Sequence, residues 1–294
     1  MDVIGRAERV ISMEKASNSY VINAESGAEM ARLIDQDRFM TKCMGGLFPE
    51  AGLAKVRGTL DAACGPGGWV QELAYAYPEM RVVGIDISQR MIEYAKALSQ
   101  VQGLDNTEFR VMDLLKPLDF PDASFDLVNA RFLFGFLHAD SWIPLMRELM
   151  RVLRPGGILR FTEFDGRVTT NSPAFEKFTD FLMQAFALDG RTLNGSVHHV
   201  GVTPMLGRFL QEVGCQNVQE KAHLLNCSAG MEAHASVCED IKVGFKLIQP
   251  FLVKMQVASQ EEVELLYQQT LAEWLSDDFR GLWYFFSAWG QKPE

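Results

Sequence analysis

Three carboxylates and a cluster of glycines are the residues whose types and spacing can do chemistry here. Asp61 closes the apolar stretch Thr59-Leu60-Asp61-Ala62-Ala63, and Cys64-Gly65-Pro66-Gly67-Gly68-Trp69 follows as a turn that opens a helix. Lacking a Cβ, Gly65 and Gly67 let the backbone come close to a ligand. Asp86 ends the next apolar run, Val82-Val83-Gly84-Ile85, 19 residues beyond Gly67. A carboxylate there can accept hydrogen bonds from both hydroxyls of a ribose. Asp113 follows Phe109-Arg110-Val111-Met112, where it can accept from an adenine amino group while Met112 or Leu114 lines the ring.

Two ligand classes use such a turn. A dinucleotide site offers helix N-terminal amides to a pyrophosphate and needs a third glycine for close helix packing. Val70 stands at that third position, so the dinucleotide pattern is incomplete. Three acidic residues ending three successive strands would repel a pyrophosphate and suit a cationic, non-phosphorylated nucleoside.

Other residues carry weaker signals. His138 follows the fourth apolar run and is a candidate general base, with a capping or core histidine as the alternative. Glu163, with Asp165 beside it, ends the fifth run, where it could orient or deprotonate a second ligand or steady a cation; a structural hydrogen bond is equally open. His198 and His199 lie in a polar loop, but adjacent histidines point apart and no third ligand is evident, so no metal is expected. Gln36 and Arg38 could reach a carboxylate, or simply form a solvated helix face.

These residues need elements to hold them. From Thr59 to Phe164, apolar runs at Gly58–Ala62, Arg81–Ile85, Thr107–Val111, Phe125–Ala130 and Ile158–Glu163 alternate with helical patterns at 68–76, 89–100 and 142–153, the rhythm of βα units feeding a parallel sheet. The third of these helices is expected to stop at Arg154-Pro155-Gly156-Gly157. Upstream, Asn23 could cap a helix whose stripe is Met30, Leu33, Ile34, Met40 and Met44. Downstream come a phenylalanine-rich helix at 171–188, a helix at 203–213, a strand at 218–226, helical sequence over 231–275 and an aromatic strand at 279–290. No internal repeat or low-complexity tract interrupts them.

Composition narrows the function classes. The chain has 294 residues, is 48% hydrophobic and carries a formal net charge of −10. It can bury a large core, and its charge opposes a phosphate backbone, so no nucleic-acid partner is expected. Five cysteines (43, 64, 215, 227 and 238) without a CxxC pair argue against a disulfide framework or structural zinc. With no signal-peptide pattern and no spanning stretch, a cytoplasmic protein without a membrane partner is expected.

With Asp61, Gly65, Gly67, Asp86 and Asp113 in this order, residues 58–164 resemble the core of a class I S-adenosylmethionine-dependent methyltransferase. Ala63 replaces the first glycine of that family's usual motif. The resemblance implies a doubly wound α/β sheet of seven strands, six parallel and the last antiparallel, with helical N-terminal and inserted lid segments. It implies a helical lid over 1–45, a Rossmann-like core over 46–165, 203–230 and 278–294, and substrate-pocket insertions at 166–202 and 231–277. It implies S-adenosylmethionine as cofactor, bound by Tyr20, Gln36, Asp61, Gly65, Gly67, Asp86, Ile87, Met91, Met112, Asp113, Leu114, Asn129 and Arg131. Glu163, His138 and His198 are the candidate catalytic residues. The insertions resemble those of small-molecule methyltransferases of bacterial specialised metabolism, including enzymes that methylate prenyl or terpenoid carbons. The expected reaction is therefore O- or C-methylation of a small, largely apolar acceptor, and a homo-oligomer stays open. The rival readings are a nicotinamide-dependent oxidoreductase, disfavoured by Val70 and Asp113, and a non-catalytic cofactor-binding scaffold.

Overall fold

Alternating side chains decide how the sheet is built. In β2 (Arg81–Asp86), Val82 faces a layer with Trp69, Leu73 and Phe109, whereas Val83 and Ile85 face the opposite layer with Leu60, Trp142 and Phe161. A strand apolar on both faces must be covered on both, and βα connections supply that cover. The computed structural model describes residues 20–48, 52–53 and 55–294. Residues 1–19 of the expected N-terminal lid lie outside that set.

β1 (Gly58–Ala62), β2, β3 (Thr107–Val111), β4 (Phe125–Arg131) and β5 (Leu153–Glu163) run parallel in the order β3-β2-β1-β4-β5. β8 (Gly281–Gln291) lies antiparallel to β5. β7 (Gln216–Asn226) pairs antiparallel with β8 and so runs with the first five, completing the seven expected strands. An eighth, β6 (Val168–Thr170), pairs with residues 281–283 of β8. It lies in the 166–202 insertion just before the expected helix at 171–188, and three residues are too few to give a readable alternation.

The helices in order are α1 (Gly27–Cys43), α2 (Gly68–Ala76), α3 (Gln89–Gln102), α4 (Trp142–Val152), α5 (Pro173–Leu188), α6 (Leu206–Glu212), α7 (His234–Lys254) and α8 (Gln260–Trp274). The expected cap of α1 is corrected. Ser26 Oγ accepts from Glu29 N, whereas Asn23 Oδ1 accepts from Glu25 N one turn upstream, an Asx turn that leaves capping to the serine. The stop after α4 also differs. The helix ends at Val152, and residues 154–157 form a bulge within β5, since Phe125 pairs with Leu153 but Leu127 pairs with Ile158. The last carbonyls of α4 accept instead from Ala123 N and Ser124 N. The long helical stretch after 231 is two helices, the second started by a capping box between Ser259 and Glu262. α7 packs on α1 and α8, and α8 on α5, so the N-terminal helix and both inserted segments meet over the carboxyl ends of the strands.

Candidate functional site

The turn after β1 passes through the left-handed region three times, at Ala63 (φ 59°), Gly65 (φ 52°) and Gly67 (φ 82°). At Gly67 the choice is forced twice over, because a Cβ would lie 2.7 Å from Phe109 Cε1 and 2.9 Å from the Ala95 Cβ. Ala63 has no such excuse. Left-handed backbone costs a non-glycine residue about 1–2 kcal/mol, and the extra freedom of an unfolded glycine returns part of that. Ala63→Gly is therefore expected to stabilise the protein by about 0.5–1 kcal/mol, read as a higher urea midpoint at unchanged slope.

Asp86 organises the turn from the neighbouring strand. Its Oδ2 accepts from Gly65 N and its Oδ1 from Ser88 N, both at 2.9 Å. Burial lifts its carboxyl above the ordinary range even though these amides pull it down. Asp113, at the end of β3, accepts from Leu115 N at 2.9 Å and pairs with Lys116 at 3.3 Å.

A cavity of about 270 Å³ runs from these residues to the inserted helices. One end is made by Gly65, Asp86, Ile87, Met91, Met112, Asp113 and Leu114. In the middle stand Asp37 and Arg131, an ion pair of 2.7 Å whose members are 12% and 11% exposed. The Asp37 carboxylate takes the space a Gly68 side chain would need, and Arg131 Nε is buried without a partner. The other end is aromatic: Phe132, Phe134, Phe136, Phe164, Phe186 and Trp283. Phe164 meets Phe134 and Trp283 edge to face, with centroids 4.4 and 5.3 Å apart.

Tyr20, Gln36, Gly65, Asp86, Ile87, Met91, Met112, Asp113, Leu114 and Arg131, all expected to bind the cofactor, line this cavity. Asp61, Gly67 and Asn129 do not. Asp61 is only 2% exposed, and its Oδ1 accepts from Asn129 Nδ2 at 2.7 Å behind the cavity wall. Burial pushes its carboxyl up to about 6 against the pull of Arg131. The expected convergence of three carboxylates is thus corrected to two at the cavity and a third behind it. Tyr20 and Gln36 arrive already engaged: the Tyr20 hydroxyl donates to Glu29 Oε1 at 2.6 Å, and Gln36 Nε2 donates to Asp240 Oδ1 at 3.0 Å. Arg38 pairs with Asp35 on the surface.

None of the three catalytic candidates lines the cavity. His138 is half-exposed with Nε2 3.6 Å from Asp189. His198 is exposed and its carbonyl accepts from Arg167, while His199 Nδ1 stands 3.7 Å from Asp165 Oδ2. Among the described residues no cluster of three or more His, Cys, Asp or Glu could hold a metal. Glu163 is fully buried and accepts from Leu133 N at 2.7 Å and Phe134 N at 3.3 Å. It braces the aromatic loop and does not line the cavity. Sequence reasoning missed that loop, although the run Phe132-Leu133-Phe134-Gly135-Phe136 was visible after β4. It also missed Arg32, Asp37 and Asp240, whose juxtaposition nothing local announces.

Burial pushes the Glu163 carboxyl up to about 8, well above its ordinary value. The folded protein therefore holds a proton that the unfolded chain gives up near pH 4 (about 4.3). The stability this contributes is complete below that value and is lost as pH rises towards 8. Glu163→Gln should flatten the decline: the variant's Tm relative to wild type should rise between about pH 5 and pH 8. Asp61, shifted the same way, leaves its own smaller slope in both proteins.

Residues 59–157 match the methyltransferase domain family, and they lie on a Rossmann-like sheet. Among curated proteins, the demethylmenaquinone methyltransferase of Lactococcus lactis is 34% identical over 99 residues, which cover 33% of this chain and 38% of that protein. The Geobacillus stearothermophilus enzyme of the same name is 34% identical over 105 residues, covering 35% and 44%. The chain thus spans less than half the length of these relatives. Among solved structures, the Haemonchus contortus phosphoethanolamine N-methyltransferase 2 in complex with S-adenosyl-L-methionine superposes with a TM-score of 0.54 at 18% identity, covering 92% of this chain and 57% of that one. The [4+2]-cyclase SpnF does so with 0.50 at 16%, covering 92% and 98%. At such identities the likeness concerns the fold, and the cyclase is a reminder that this fold alone does not fix a reaction. No helix among the described residues is long and apolar enough to cross a membrane.

Proposed function

We propose that the chain transfers a methyl group from S-adenosylmethionine to a small, largely apolar acceptor carrying an aromatic or quinol-type ring. The observation that carries this is a single cavity with an acidic, glycine-lined end and an aromatic end. At the first end Asp86 would accept from the ribose hydroxyls and Asp113 from the adenine amino group, with Met91 and Met112 against the base. In the middle, the Arg131 guanidinium would take the methionine carboxylate and Asp37 the ammonium. The bound cofactor supplies a methyl carbon on a sulfonium, and the protein's part is to align it with the acceptor and exclude water. α1 and α7 would form the cover and the acceptor pocket, with apolar wall contributed by the loop Phe132–Phe136, by Leu182 and Phe186 of α5 and by Ile241, Phe245 and Ile248 of α7. That two relatives are named for a quinone substrate supports a flat ring at the aromatic end.

The test is turnover. Labelled S-adenosylmethionine should pass its methyl group to at least one member of a panel of phenols, carboxylic acids, naphthoquinols and prenyl compounds. Binding of the cofactor without transfer to any of them would favour the scaffold reading.

A further inference from the structure

The aromatic end has one carboxylate that no sequence motif marks. α7 presents Ile241, Gly244, Phe245 and Ile248 to the cavity, an apolar face interrupted at its start by Asp240. Asp240 is 6% exposed, and its Oδ1 accepts from Arg32 Nη1 at 2.7 Å and from Gln36 Nε2 at 3.0 Å. Its Oδ2 receives no hydrogen bond from the described residues. Half of this carboxylate is therefore clamped and the other half is left to whatever enters.

Its place along the cavity follows from α1. Leu33 Cδ1 stands 3.9 Å from where a Gly65 Cβ would sit, and Asp37 covers Gly68. Arg32 and Gln36, one position earlier in each case, hold Asp240. A step of one residue turns about 100° around a helix, so Asp240 flanks the glycine turn, and the next cavity-lining residues of its own helix, Ile241, Phe245 and Ile248, line the same cavity as the aromatic residues. Resting on the methyltransferase reading, we propose that Asp240 is the general base, and that the acceptor presents a hydroxyl on a flat ring.

The acceptor's O–H proton passes to Asp240 Oδ2. The oxygen's pair forms the new C–O bond to the methyl carbon, and the pair of the breaking C–S bond returns to sulfur, leaving neutral S-adenosylhomocysteine. Arg32 and Gln36 hold the carboxyl by its other oxygen throughout, so reorientation is not needed. Burial raises the carboxyl's proton affinity despite Arg32, which suits the task.

Two naphthols test this: 1-naphthol, un-ionised at the assay pH, and 4-nitro-1-naphthol, already ionised. In Asp240→Asn, kcat with 1-naphthol should fall by about 10²–10⁴. With the nitro compound it should change by less than about fivefold, since no proton remains to be removed. Calorimetry should find S-adenosylhomocysteine affinity unchanged, and quenching of 1-naphthol fluorescence in the S-adenosylhomocysteine-loaded variant should report roughly tenfold weaker naphthol binding. Arg32→Gln keeps the carboxylate and breaks the tie between α1 and α7. Equal losses with both naphthols in both variants would make Asp240 a mere tie, and an unchanged kcat in Asp240→Asn would remove its role altogether. Wild-type protein that binds S-adenosylhomocysteine yet methylates neither naphthol overturns the hydroxyl-acceptor assignment. Wild-type protein that does not bind it overturns the proposed function itself.

Discussion

Asp86→Asn is expected to weaken S-adenosylhomocysteine binding by about 10²-fold or more while leaving the protein folded. The carboxylate accepts from Gly65 N and Ser88 N, and in the proposed function its remaining lone pairs would take the two ribose hydroxyls. An asparagine of the same size turns one of those acceptors into an NH2 group that faces a donor. Hydrogen bonds to a charged group are worth about 1.5–3 kcal/mol each, and a buried donor left facing another donor costs a comparable amount. Calorimetry measures the affinity, and circular dichroism confirms the fold. An affinity within about threefold of wild type would mean that Asp86 only braces the turn.

The largest effect on stability is expected at Gly67→Ala. The new methyl would press into Phe109 and Ala95, inside the close-packed layer between sheet and helices, at a φ of 82°. Overpacking costs about 1–3 kcal/mol and the left-handed backbone about 1–2 more. For a chain of this size that corresponds to a Tm lower by roughly 3–8 °C. Phe109→Leu in the same background should recover part of the loss, because the ring supplies the tightest of the clashes. No recovery would show that backbone strain dominates. Ala63→Gly makes the opposite change in the same turn, and together the two variants separate conformation from packing.

Much of the architecture was legible because strands and helices here are periodic. Val82 and Val83 face opposite layers and are both buried, which a continuous apolar run announces. The glycine turn and the two cavity-lining carboxylates were legible for the same reason: they sit at strand ends, and a parallel sheet gathers its strand ends in one crevice. What failed depends on orientation within a strand or on long-range contact. Asp61 stands second from last in β1, paired with Gly84 and Asn129, and the pleat sends its side chain behind the wall. The histidines looked chemical by type, but loop residues take their place from the packing of distant segments. Asp240 and Arg32 lie 208 residues apart, and only the meeting of α1 with α7 makes them neighbours. Glu163 drew notice as a catalytic candidate by its position at the end of β5, and its amide partners are Leu133 and Phe134 of the aromatic loop.

The central claim is that the acidic end of the cavity selects an adenosyl sulfonium over a pyrophosphate-bearing cofactor. Titrating the full chain calorimetrically with S-adenosylhomocysteine and, separately, with NAD tests this most directly. Saturable one-to-one binding of the first, lost in Asp86→Asn, together with no detectable heat from the second, is the predicted result. Binding of NAD as tight as that of S-adenosylhomocysteine, or tighter, would contradict it.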